Sequence, residues 1–114
     1  YDASAVLVRP VQVQIEVTLA PGTPAGPIYL ASNLFGWEPD GVAMTVAAGK
    51  ATLTLALEQG MALEYKYTRG SWSTVEKTSG CQDNTNRQLV VKDPGGGVQT
   101  VADTVFAWAD LCTP

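Results

Sequence analysis

Two tryptophans stand where the chain turns rather than where it alternates. Trp37 lies in a stretch from Ser32 to Gly41 rich in turn formers, and Trp72 follows a break at Gly70. A tryptophan meant for a core normally sits on the apolar face of an alternating strand. At a turn its large flat ring is presented to solvent or to a ligand. The chemistry such rings offer is stacking, because the axial C–H face of a pyranose matches an aromatic π-face, and two indoles at an angle suit a curved sugar chain. Lys66, central on the polar side of its segment, and Asn84 and Asn86, which flank the next one, are candidate hydroxyl partners. The same residues also admit a structural reading, in which Trp37 packs on Pro39 to cap the core and Lys66 is simply solvated.

Catalysis is hard to build from this chain. It contains no histidine, which removes the commonest general base and metal ligand at neutral pH. No Gly-x-Ser-x-Gly elbow occurs, and no nucleophile has an obvious base. Glu58, Glu64, Glu76 and Asp83 could supply a glycosidase carboxylate pair. That chemistry needs an enclosed site to raise one pKa, and so small a sandwich seldom forms one. Asp83, Asn84 and Asp103 lack EF-hand spacing, and the glycines at 95–97 lack the Lys-Ser/Thr of a phosphate loop. The expectation is therefore no catalytic residue, no metal and no cofactor. A net charge of −4 without a basic cluster argues against nucleic acid. No apolar run approaches the ~20 residues of a membrane helix, and Tyr1 to Ser4 show no charged-then-apolar leader, which leaves open one removed ahead of Tyr1.

The elements that must carry these residues read as strands. A length of 114 residues with 46% hydrophobic and 16% charged residues suits one packed domain. Val11 to Leu19 alternates strictly, placing Val11, Val13, Ile15, Val17 and Leu19 on one face of a half-buried strand. Further strands are expected over residues 27–31, 43–46, 51–57, 63–68, 72–76, 87–92 and 98–108, separated by Gly- and Pro-rich breaks. Such a series describes an antiparallel β-sandwich. Tyr65, Tyr67 and Trp108 are expected in the core, the last against the N-terminal strand. Residues 1–10 form an extension, in which Ser4 to Val8 reads as an extra edge strand able to pair with another molecule; residues 11–114 form the sandwich itself.

Cys81 and Cys112 could be free thiols or one disulfide. Asp93 to Gly97 reads as the turn of a hairpin joining the last two strands. A hairpin centred near residue 96 sets the two cysteines opposite one another, which favours the bridge and an oxidising compartment.

Three pieces in order then resemble a known group. Ile28 to Trp37, with its Gly36-Trp37 ending, is followed by Leu63 to Trp72, which contains Tyr65-Lys66-Tyr67, and then by Asn86-Arg87. This order is similar to that of starch-binding domains of carbohydrate-binding module families 20 and 48, including the glycogen-binding domain of the AMP-activated kinase β subunit. The resemblance runs from about Val11 to Trp108. It implies an immunoglobulin-like sandwich of seven or eight strands, without catalytic activity, that binds α-glucan such as starch, glycogen or maltooligosaccharides. It implies that Trp37 and Trp72 stack on glucose units while Lys66 and Asn86 bond hydroxyls. A secreted or cell-surface setting follows, alone or joined to other domains of a parent enzyme. Family 20 modules often carry their second tryptophan near the position of Glu76 and Lys77, so Trp72 fits the glycogen-binding pattern better. The loop from Ser79 to Asn84 has no counterpart in that pattern. The rival reading is a structural or assembly protein of the cell surface, with the sandwich but without glucan binding, joining neighbouring subunits through its N-terminal strand.

Overall fold

The computed structural model describes residues 10–112. In β1 (Val11–Thr18) alternation becomes burial directly. Val11, Val13, Ile15 and Val17 are at most 2% exposed, whereas Gln12, Gln14, Glu16 and Thr18 face solvent. Each buried aliphatic side chain contributes about 1.5–3 kcal/mol once removed from water. β1 pairs antiparallel with β5 (Lys50–Leu57), which pairs with β4 (Thr45–Ala47). Its other flank takes β9 (Val98–Thr104), from Gln12 opposite Val98 to Thr18 opposite Thr104. The first sheet thus runs β4-β5-β1-β9.

The second sheet is formed by β2 (Tyr29–Ser32), β3 (Val42–Ala43), β6 (Ala62–Thr68) and β8 (Arg87–Val90) in the order β3-β2-β6-β8. A short pair, β7 (Glu76–Lys77) with β10 (Ala107–Trp108), hangs on the end of β6 through a bridge between Thr68 and Val75. Ile15, Leu30, Leu63, Tyr67, Val105 and Trp108 belong to the core between the sheets. This is the expected all-β sandwich, with no α-helix among the described residues.

Several expectations are corrected. Among the described residues there are ten strands where seven or eight were expected, because the chain changes sheet where unbroken strands were expected. Residues 43–46 divide at Met44: Ala43 ends β3, Thr45 begins β4, and Met44 turns inward, its N–H donating to the Ile28 carbonyl at 2.8 Å. The closing segment divides at Val105 and Phe106. Trp108 is core, at 1% exposed, in one cluster with the aliphatic side chains of β1, while its backbone pairs with Glu76 of β7. The strand expected over 72–76 is a 3-10 turn (Trp72–Thr74) followed by β7. There the Thr74 hydroxyl accepts the N–H groups of Arg69 and Ser71, and so competes with any ladder. The β1–β9 pairing is parallel while every other pairing described here is antiparallel, which is possible because the whole domain serves as their crossover.

Asp93 to Gly97 is not a hairpin turn. β8 and β9 belong to different sheets, and the segment crosses between them, with Asp93 Oδ1 accepting the N–H groups of Gly95 and Gly97 at 2.8 and 2.9 Å. Cys81 and Cys112 are nevertheless joined in a disulfide, their Cα atoms 5.8 Å apart. The turn from Thr78 to Gln82 presents Cys81, and a 3-10 turn (Ala109–Leu111) leads into Cys112. The pairing of β7 with β10 sets those two turns together, not a hairpin at residue 96. The extra strand expected within Ser4 to Val8 lies outside the described residues.

Candidate functional site

The loop bearing Trp37 begins as a 3-10 turn (Asn33–Phe35), capped by Ser32 Oγ accepting the Leu34 N–H at 3.1 Å. Gly36 and Trp37 then both adopt left-handed backbone, at φ 72° and 55°, and the Trp37 N–H donates to the Ser32 carbonyl at 2.9 Å. For tryptophan that conformation costs about 1–2 kcal/mol, and strain of this kind gathers at functional positions. The reversal sends the chain back across the outer side of the second sheet. Ala31 and Thr68 point outward there yet are fully buried, and the Thr68 hydroxyl donates to the Pro39 carbonyl. Gly41 completes the fold-back; a Cβ at that position would lie 3.1 Å from the carbonyl oxygens of Glu38 and Leu30.

Trp72 reaches the same region from the end of β6. Gly70, at φ 121°, turns the chain, and the hydroxyls of Ser71 and Thr74 tie the following turn together. The two indole centroids lie 6.4 Å apart with their planes at 45°. Trp72 is 44% exposed and Trp37 is half-buried. The two ring planes are thus inclined to one another, with one ring largely bare to solvent and the other partly so.

The polar candidates separate. Lys66 is half-buried on the outward side of β6, between Glu64 and Thr68 and opposite Ala31. Pairing of β6 with β8 runs from Ala62 with Val90 to Tyr65 with Arg87. Asn86 is the next residue, so the register carries it to the rung of Lys66, and it is exposed. Asn84 differs, because its amide Nδ2 donates to Glu76 Oε1 at 2.8 Å. Its donor is thereby engaged in bracing the fold. Lys77 of β7 ion-pairs with Asp83, and this hydrogen bond and charge hold the Asp83 carboxyl below the usual aspartate range, with a smaller contribution from Lys66.

A buried polar cluster lies behind this face, and sequence reasoning missed it. Glu76, 1% exposed, accepts from Arg87 Nε at 2.9 Å, Arg87 Nη2 at 2.7 Å and the Tyr67 N–H at 3.0 Å, besides Asn84. Asp103 on β9 accepts both the Tyr65 and Tyr67 hydroxyls at 2.7 Å and lies 3.5 Å from Arg87 Nη1. Burial first, then Asp103, pushes both tyrosines well above the usual phenol range. Burial opposes the Arg87 charge, but Glu76 and Asp103 outweigh it and raise its pKa. Glu76 is thus fully occupied, and the cluster braces β6, β7 and β8 of one side against β9 of the other. One signal was available: tyrosines on a core face need partners for their hydroxyls. Among the described residues no group of three His, Cys, Asp or Glu side chains could hold a metal ion, and no helix is long and apolar enough to cross a membrane.

No family model matches the chain. Its sequence is similar to part of an amylopullulanase of Thermoanaerobacter thermohydrosulfuricus, 36% identical over 105 residues, which cover 90% of this chain and 7% of that one. It is likewise similar to part of an alpha-amylase of Niallia circulans, 41% identical over 102 residues, covering 86% of this chain and 8% of that one. The fold is shared with a portion of the Hormoconis resinae glucoamylase structure, at a TM-score of 0.65 and 20% identity, over 86% of this chain and 18% of that one. The chain spans 7–8% of the length of these two curated relatives, and is homologous to a small segment of enzymes named for starch-degrading activities.

Proposed function

We propose that this domain is a non-catalytic carbohydrate-binding module that holds α-glucan, with Trp37 and Trp72 as the stacking platform and Lys66 and Asn86 as hydroxyl partners. The observation that carries the reading is the tilted pair of indoles, 6.4 Å apart at 45°, with Trp72 44% exposed. The tilt suits successive residues of a helical glucan, whose sugar planes are themselves inclined. The commitment of Glu76 to Arg87 supports binding without hydrolysis. The similarity to a 7–8% segment of an amylopullulanase and an alpha-amylase supports a starch-like ligand and a role as one part of a larger secreted enzyme. A disulfide fits an oxidising setting. An open face with few contacts gives modest affinity, roughly −4 to −8 kcal/mol, millimolar to micromolar.

Affinity electrophoresis in gels with and without soluble starch tests the class. The protein is retarded by starch, and Trp37→Ala and Trp72→Ala each lose most of the retardation while melting as folded proteins. Equal migration of the parent in both gels, or full retardation of both variants, would refute the proposal.

A further inference from the structure

Trp72 stands on a loop, residues 69–75, that is held from behind by the C-terminal segment. The Ala109 N–H donates to the Val75 carbonyl at 2.9 Å. Arg69, at the root of the loop, ion-pairs with Asp110, and its guanidinium carbon lies 5.5 Å from the centre of the Trp108 ring. The 3-10 turns Trp72–Thr74 and Ala109–Leu111 pack on one another. This supporting segment has little ladder of its own, since β10 is paired over two residues only, and so short a pairing is marginal by itself. Its far end is fixed covalently, by Cys112 to Cys81.

We propose that the Cys81–Cys112 bridge and the Arg69–Asp110 ion pair are positioning elements of the binding face. They hold the C-terminal segment against the Trp72 loop and so set the separation and tilt of the two indoles. The inference rests on the tryptophan pair being the glucan platform. It gives the loop from Ser79 to Asn84, which the family pattern lacks, a task at the site: it anchors the tail that supports Trp72.

The test compares the parent chain with Trp72→Ala, Cys81→Ala combined with Cys112→Ala, Asp110→Ala and Asp110→Glu. Two readings are taken: the exciton couplet that two adjacent indoles produce in far-ultraviolet circular dichroism, identified by its loss in Trp72→Ala, and calorimetric affinity for maltoheptaose. The cysteine variant and Asp110→Ala keep the β-sheet signal, lose much of the couplet, and bind on the order of tenfold more weakly, as expected when one ring of a stack is poorly presented. Asp110→Glu, which can remake the ion pair, retains both properties. A parental couplet and affinity in both disrupted variants would overturn the inference. Should the cysteine variant fail to fold, Asp110→Ala decides by the same two readings. A parent that does not bind maltoheptaose defeats the platform reading alone, and the couplet, which needs no sugar, still tests the positioning.

Discussion

Arg87→Met removes the positive member of an ion pair whose negative member cannot reach water. Glu76 is 1% exposed and takes charged hydrogen bonds from Arg87, the shortest at 2.7 and 2.9 Å. Breaking a buried pair by deleting one partner costs about 3–5 kcal/mol. The Arg87 side chain retains 22% of its surface, and Asn84 and the Tyr67 N–H would still donate to Glu76. Both points set the expected loss at the lower end, about 3 kcal/mol. A domain of this size loses roughly 4 °C of melting temperature per kcal/mol, so the variant should melt about 12 °C lower. The assay is thermal and urea unfolding followed by circular dichroism at neutral pH. Adding Glu76→Gln removes the stranded charge while keeping an acceptor for the Tyr67 N–H, and should recover a good part of the loss. A single variant melting within about 4 °C of the parent, or a double variant less stable than the single one, would refute the assignment of this cluster as a brace.

Other outcomes follow from particular groups. Gly36→Ala adds a Cβ that meets no atom within 4 Å, so its cost is conformational, from φ 72°. About 1 kcal/mol or somewhat more should appear as a lower urea midpoint, and an unchanged midpoint would contradict it. The Asp93 carboxyl is held below its usual range by the Gly95 and then the Gly97 N–H. Its contribution to the fold is therefore present above the unfolded-state pKa and lost as pH falls through the lower folded value. The Gly95 and Gly97 amide resonances should titrate with a midpoint below that of ordinary aspartate, and a midpoint at or above it would count against the turn. Tyr65 and Tyr67 shift the other way, so their contribution is present below the ordinary phenol pKa and lost as pH rises through the higher folded value. In an absorbance titration they should ionise only as the protein unfolds in alkali, and Tyr65→Phe and Tyr67→Phe should each remove part of that late step. Either tyrosine titrating in the folded protein like a free phenol would oppose the Asp103 pairing.

What could be read from the sequence followed the strength of its periodicity. β1 was legible residue by residue because four aliphatic side chains alternate with Gln12, Gln14, Glu16 and Thr18. Met44 and Val105 hid the two changes of sheet, since an inward residue between two half-strands looks like one more apolar position in a continuous strand. The disulfide was favoured through a hairpin that does not exist, because the glycines at 95–97 signal a turn without saying what it connects. The tryptophan pair was approachable because turn residues surround each ring, and Lys66 because it alternates with core tyrosines. Asn84 and Asn86 look alike in sequence. Only the chain path from Lys77 through Asp83 decides that Asn84 turns toward Glu76. Glu76 itself, next to Lys77 in a two-residue strand, carries no pattern that marks it as buried.

The parallel match of β1 with β9 also governs when this domain can be finished. Gln12 waits for Val98, and Thr18 for Thr104, so a middle strand keeps one flank unsatisfied until residues 98–104 have been synthesised. Such distant partnerships form slowly and leave sticky edges open to other polypeptides meanwhile. A ribosome-bound chain halted before Val98 would offer the aliphatic row of β1 to chaperones or aggregates, and should remain in that unfinished state until β9 slots in beside β1.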